Sequence, residues 1–361
     1  MSLPSHGANP QTLYEKMNVS MPSSIIDLSE NSNPLGPPSI IKDRWAEWFQ
    51  AISSYPDPEG KTLKQVIASF HHVQENQVLI GNGAAELMMV AAKLWQHKTI
   101  GVIHPAFSEY ERVILANGAK LQRFYTDERS NWQVDSFQIE AFLSKGHSLF
   151  ICNPVNPTGM VYQVELLEKW LKLAEHSNGM ILLDEAFIDM LGEEHSMSDW
   201  TGSPNLLIFR SMTKMFSLAG LRLGYLLGNK DVLNEISALL PHWNVNALAQ
   251  LAGQAVLQDS AFQQKTRSYI KAERQRIFNF LKNAGFRTSE SKANYYLLQP
   301  PDPGKTAQLF KWLLGKGIVL RHTENYIGLD GRWLRAGIKS QKENDQLMQA
   351  VKKWKLEESS R

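Results

Sequence analysis

Ser211-Met212-Thr213-Lys214, taken with the Asp184-Glu185-Ala186 that precedes it and the Gly220-Leu221-Arg222 that follows, decides how the rest of this 361-residue chain reads. Two apolar runs, Ile181-Leu182-Leu183 and Leu206-Leu207-Ile208-Phe209, each end in polar residues, and an open α/β sheet binds its ligands at such strand ends. A lysine facing the cleft there can form a Schiff base with an aldehyde. A carboxylate one strand away, Asp184, can pair with a ring nitrogen, and Ser211, Thr213 and Arg222 can hold a phosphate. Aldehyde, ring nitrogen and phosphate together point to pyridoxal 5'-phosphate.

Working outward, the strand-like runs alternate with helical patterns. Val78-Leu79-Ile80 leads through Gly81-Asn82-Gly83 into a helix from about Ala84 to Trp95; Ile100 to Ile103 precedes a helix through Tyr110 to Ala116; Leu149 to Cys152 precedes one from Val164 to Glu175. This βαβα order predicts a mostly parallel sheet between helices. Residues before about 53 read as an arm, because Pro10, Pro22, Pro34, Pro37 and Pro38 interrupt any element. Past Gly228, a helical stretch from Ala247 to about Ala284, with a break near Asp259-Ser260, bridges to a smaller α+β region. Strands are expected there at Tyr295 to Leu298, Ile318 to Arg321 and Trp333 to Ile338. The expected division is an arm (1–52), a large cofactor-binding domain (53–245), and a linking helix with a small C-terminal domain (246–361).

Composition narrows the partners. A net charge of +2 with interspersed acids and bases supports no nucleic-acid face. The single cysteine, Cys152, excludes an internal disulfide framework and sits in an apolar run, as a small buried side chain would. No apolar segment reaches the length of a membrane span, so no membrane partner and a cytoplasmic location are expected.

Further motifs bear on the site. Gly81 to Glu86 places two glycines where a strand hands over to a helix, so free N–H groups there can cradle a phosphate, although such turns are common for structural reasons alone. Phe107 can lie over a flat ring or fill the core. Asn153-Pro154-Val155-Asn156-Pro157-Thr158-Gly159 puts two Asn-Pro steps after a strand, a rigid turn that presents amide side chains to the cleft. Arg321 ends one expected strand and Arg335 lies inside another; each meets either a ligand anion or a structural carboxylate. His6-Gly7-Ala8-Asn9 and Asn31 to Gly36 read, on spacing alone, as a tail and a turn.

In order and spacing these motifs resemble the fold-type I pyridoxal phosphate enzymes of the aspartate aminotransferase superfamily, over nearly the whole chain. The nearest branch contains histidinol-phosphate aminotransferase and L-threonine-O-3-phosphate decarboxylase of cobalamin synthesis. The resemblance implies a large domain with a mostly parallel seven-stranded sheet and a smaller α+β C-terminal domain. It implies that Lys214 forms the Schiff base, Asp184 pairs with the ring nitrogen, Asn156 bonds the phenolic oxygen and Phe107 stacks on the ring. The cofactor phosphate is then held by the backbone of Ala84 and Ala85, by Ser211, Thr213 and Arg222, and by Tyr55 of a neighbouring subunit, which makes the protein a homodimer with shared sites.

The resemblance also implies a small phosphorylated amino-acid substrate, with Arg335 on its carboxylate and Arg321 toward its phosphate; His6 and Asn31 are further candidate anchors for that phosphate. His6-Gly7-Ala8-Asn9, Trp243 to Ala249 and Asn325 to Asp330 look like the decarboxylase, with Ala8 in place of a glycine. Phe187 stands where the aminotransferases usually carry a tyrosine. The expected reaction is decarboxylation of L-threonine O-3-phosphate to (R)-1-amino-2-propanol O-2-phosphate. The alternative is aminotransfer on histidinol phosphate or a related amino acid. A regulator that binds the cofactor without turnover is a remote third, since the arm before Tyr55 leaves no room for a DNA-binding module.

Overall fold

Along each central strand, alternate side chains point to opposite faces, and the apolar residues sort accordingly. In the computed structural model, which describes residues 3–359, Leu149, Ile151, Leu183, Leu206 and Ile208 join one hydrophobic cluster, while Phe150, Leu182, Leu207 and Phe209 join another. Helices cover both faces, so these strands read as continuous apolar runs.

After the arm's β1 (Ile26–Asp27), the large sheet contains β2 (Val78–Gly81), β3 (Thr99–His104), β4 (Lys120–Tyr125), β5 (Ser148–Cys152), β6 (Ile181–Asp184), β7 (Leu206–Ser211) and β8 (Gly224–Gly228). Their order is β2-β8-β7-β6-β5-β3-β4, and β8 alone runs antiparallel to its neighbours. Seven mostly parallel strands are what the sequence predicts. The strand order reverses between β3 and β5, which opens a crevice at their carboxyl ends. His104, Cys152, Asp184 and Ser211 all lie along that edge.

The edge strand β4 and the helix Ser136–Leu143 escape sequence reading: β4 buries only Phe124 fully, and so lacks the apolar run of an interior strand. The helix from Ala84 ends at Ala91 and tightens to a 3-10 turn through Trp95. The arm is less broken than its prolines suggest. Pro10 occupies the first turn of a helix, Pro10–Met17, where its missing N–H costs nothing, and the Asn9 side chain caps that helix by accepting from the Thr12 N–H.

Helices Ala247–Leu257 and Ser260–Asn283 are separate, the second capped by Asp259 accepting from the Phe262 N–H. Beyond them, β9 (Arg287–Thr288), β10 (Tyr295–Gln299), β12 (Arg321–His322) and β13 (Leu334–Gly337) form an antiparallel sheet in the order β12-β13-β10-β9. The run Ile318 to Arg321 is not one strand. Ile318–Val319 (β11) pairs in parallel with β1 of the arm, and after Leu320 the chain crosses into the other sheet, so Arg321 begins β12. No helix among the described residues is long and apolar enough to cross a membrane.

Candidate active site

Lys214 sits in a one-turn helix, Met212–Met215, directly after β7, which turns its side chain into the crevice. Its Nζ lies 5.6 Å from the centre of the Phe187 ring. Burial first, and the Arg335 guanidinium second, lower its pKa from the usual 10.5 to about 8, against the opposing pull of Glu30 and Asp184. Asp184, at the end of β6, is buried; its Oδ2 accepts a 2.6 Å hydrogen bond from the Tyr110 hydroxyl and its Oδ1 accepts the Ala186 N–H at 2.9 Å. Burial raises its pKa, and those two hydrogen bonds with the Lys214 charge oppose the rise.

Opposite these, the helix Ala84–Ala91 starts at Gly83 with no side-chain cap. Gly83 has φ +90°, and a Cβ there would come within 2.7 Å of Arg222 Nη2; a Cβ on Gly224 would come within 2.5 Å of the Ala84 nitrogen. The two glycines therefore keep open a cradle bounded by the helix's free N–H groups and a guanidinium. Ser211 and Thr213 are buried at its wall. The whole cavity is about 360 Å³, within the range of small-molecule and cofactor sites.

The third wall comes from the small sheet. Cross-strand register sets Arg321 directly opposite Arg335, a placement of like charges that is destabilising by itself. Both are buried and both line the cavity. Arg335 donates from Nη1 to Asn156 Oδ1 (2.7 Å) and the Tyr326 hydroxyl (3.2 Å), and from Nη2 to the Ser29 carbonyl (2.7 Å). Arg321 donates from Nη2 to the Ser5 carbonyl and Asn325 Oδ1, each at 2.6 Å, and from Nη1 to the His322 carbonyl. Every one of these acceptors is neutral. Burial lowers the Arg321 pKa to about 10. The structural carboxylate left open by sequence reading is absent: neither arginine forms a salt bridge among the described residues.

His6 and Asn31 also line this cavity. The His6 ring meets Phe107 edge-on at 5.7 Å, and its Nε2 is 3.4 Å from Glu109 Oε1. Asn31 is buried with Oδ1 unpartnered. Of the residues singled out in the sequence, Lys214, Asp184, Asn156, Phe107, Ala84, Ala85, Ser211, Thr213, Arg222, His6, Asn31, Arg321 and Arg335 all converge on this one cavity. Tyr55 does not: it is 84% exposed and rests against Trp243, with ring centroids 5.1 Å apart. Asn153 is also turned away, because its carboxamide pairs with both backbone groups of Tyr162, so only the second Asn-Pro step serves the cleft.

Sequence reading passed over Tyr110, Tyr326 and Glu30. Tyr110 carries a readable signal, three residues beyond Phe107, which caps the helix that Tyr110 sits on and meets its ring edge-on at 5.7 Å. Glu30 lines the cavity and is ion-paired to Lys339 at 2.5 Å, which holds its pKa down despite burial. Tyr326 reaches Arg335 from a loop whose path no local pattern announces.

The donor set fits pyridoxal phosphate. A lysine amine of lowered pKa suits Schiff-base formation, the glycine-bounded cradle suits a phosphate ester, and Asp184 supplies a fixed carboxylate for the ring nitrogen. Cations also outnumber carboxylates around the cavity, with Lys214, Arg222, Arg321 and Arg335 against Asp184 and Glu30. A cofactor phosphate alone leaves the Arg321–Arg335 pair without an anion.

Residues 23–351 match the profile of the family described as aminotransferase class I and II. The threonine-phosphate decarboxylase of Salmonella typhimurium is 33% identical over 350 residues, covering 96% of this chain and 95% of its own length. A histidinol-phosphate aminotransferase of a Thermoanaerobacter species is 31% identical, over 83% of this chain and 84% of its own. The crystal structure of histidinol-phosphate aminotransferase from Clostridium acetobutylicum superposes with a TM-score of 0.85 at 31% identity, covering 91% of this chain and 99% of that one.

Proposed function

The chain belongs to the aminotransferase class I and II family and its cofactor is pyridoxal 5'-phosphate, and from that premise we propose that it decarboxylates L-threonine O-3-phosphate to 1-amino-2-propanol O-2-phosphate. The observation that carries this reading is the pair of buried guanidiniums, Arg321 and Arg335, set side by side over the cavity with neutral partners only. Two such groups suit a substrate with two anionic ends, a carboxylate and a phosphate.

When bound, the cofactor supplies an electron sink for a bond broken at the substrate's Cα. This chain's residues decide which bond. Arg335 receives the carboxylate, and Arg321 receives the phosphate with help from His6 and the Asn31 carboxamide. Two anchors on opposite ends of the segment from the carboxyl carbon through Cα to Cβ fix its rotation, and the fixed rotation selects the carboxylate for departure. Asn156, whose Oδ1 is already held by Arg335, keeps its Nδ2 hydrogens for the cofactor's phenolic oxygen. The neutral Lys214 amine would take up the proton that the substrate's ammonium gives up on binding, and would return it to Cα in place of the departing CO₂. Phe107 and the arm at His6-Gly7-Ala8 line the cavity.

The arm favours decarboxylation over aminotransfer. Its carbonyls at Pro4 and Ser5 are bound by His322 and Arg321, so the His6 motif shared with the decarboxylases is tied to the same arginine that meets the phosphate. Tyr55 is proposed to complete the phosphate cradle of a second copy, because its exposed hydroxyl serves nothing in its own chain's cavity.

One pair of incubations tests the assignment. L-threonine O-3-phosphate alone is expected to yield CO₂. Histidinol phosphate with 2-oxoglutarate is expected to yield little glutamate; the reverse pattern makes the protein an aminotransferase. Turnover of neither substrate, with the cofactor bound, favours a binding role.

A further inference from the structure

We propose that Tyr110 is a positioning residue that sets the protonation of the cofactor's ring nitrogen by acting through Asp184. This rests on the reading of Asp184 as the partner of that nitrogen. Tyr110 lies on the helix Ser108–Ala116 at the wall of the cavity, 1% exposed, with its ring stacked on Phe150 at 4.4 Å. Its hydroxyl donates to Asp184 Oδ2 at 2.6 Å and also interacts with the Cys152 thiol.

The geometry closes the carboxylate's remaining freedom. Oδ1 is held by the Ala186 N–H and Oδ2 by the Tyr110 hydroxyl, so rotation about the carboxyl bond breaks one or both. The strand below is equally fixed, since Asp184 pairs in register with Cys152 of β5, whose thiol is committed to the Pro154 carbonyl at 3.0 Å. A carboxylate this buried tends to take up a proton itself. A proton on Asp184 is a proton withheld from the ring nitrogen as a charge pair. The phenol's hydrogen bond favours the ionised carboxylate, and so keeps Asp184 as the anion that stabilises a protonated ring. Phenylalanine at this position keeps the stacking and removes only the donor.

The test is ¹⁵N NMR of the substrate-free holoenzyme loaded with ring-¹⁵N pyridoxal phosphate. In the wild type the ring nitrogen is expected at a protonated shift. In Tyr110→Phe that shift is expected to move toward the unprotonated position. The decarboxylation kcat is expected to fall about ten- to a hundredfold, the scale of a hydrogen bond to a charged group, with KM little changed.

Replacing Tyr110 with 3-fluorotyrosine, a stronger donor of the same shape, is expected to move the shift the opposite way, and it serves if the phenylalanine variant does not fold. Val113→Ala, which loosens the same helix's packing without touching Asp184, is expected to leave the shift in place. A protonated wild-type nitrogen that stays unchanged in Tyr110→Phe and with fluorotyrosine overturns the proposal while the Asp184 assignment stands. An unprotonated wild-type nitrogen overturns the Asp184 assignment and the proposal with it.

Discussion

Cofactor loading should depend on pH in a way that only a perturbed lysine explains. The proposed nucleophile is the neutral amine of Lys214, whose pKa falls from 10.5 to about 8 through burial and the nearby Arg335 charge. At about pH 7.5 a lysine of pKa 8 is roughly one-quarter neutral, whereas an ordinary lysine is neutral roughly once in a thousand. Loading at that pH is therefore roughly two hundred times faster than an unperturbed lysine permits.

The sign is fixed. A cation buried beside a like charge gives up its proton early, so loading climbs with pH and levels off above about 8. Arg335→Gln removes the second cause and leaves the phosphate cradle intact, so its break should move alkaline. Stopped-flow absorbance during addition of pyridoxal phosphate to the cofactor-free protein reads both curves. A wild-type rate still rising tenfold per unit at about pH 10, or no displacement in Arg335→Gln, refutes the reasoning.

Other consequences concern the groups around the site. Arg210, wholly buried, is bound by Glu185, Asp189 and Glu193. Arg210→Ala leaves those carboxylates without their counter-charge and should destabilise the fold by about 3–5 kcal/mol, read by urea denaturation; a loss under about 1 kcal/mol contradicts it. His322 donates to the Pro4 carbonyl, and burial, then Arg321, lower its pKa from 6.5 to about 4. The unfolded chain thus binds that proton before the folded one does. Stability should fall as pH drops from about 6.5 toward 4, and His322→Gln should flatten that slope in urea midpoints. Light scattering should give twice the chain mass, and Tyr55→Phe should weaken cofactor retention in equilibrium dialysis; a monomer that retains the cofactor equally well contradicts the shared site.

The Lys214 and Asp184 end of the cavity was legible because its signals are local. Asp184 and Lys214 each follow an apolar run that could only be an interior strand, and strand ends converge in any open parallel sheet. Gly83 could be placed at the same edge for the same reason; Arg222 precedes β8 and reaches that edge only because β8 runs antiparallel to its neighbours. The Arg321 and Arg335 end was not legible in that way. Arg321 and Arg335 were visible as arginines in strand-like runs, but their face-to-face placement follows from antiparallel register, which a single sequence leaves open, and from the switch of sheet at Leu320. Asn153 and Asn156 look alike in sequence; only the return of the chain at Tyr162 separates a structural amide from one that meets the cavity. Tyr110 was read as part of a helix, and its contact with Asp184 spans 74 residues.

Decarboxylation and aminotransfer differ in which bond at Cα is broken. The direct measurement is ¹³CO₂ released from L-threonine O-3-phosphate labelled in its carboxyl carbon, with no 2-oxo acid present. One CO₂ per substrate consumed, sustained over many turnovers with 1-amino-2-propanol O-2-phosphate accumulating, is the predicted result. A reaction that stops after a single turnover without label release, and resumes on addition of 2-oxoglutarate, would contradict it.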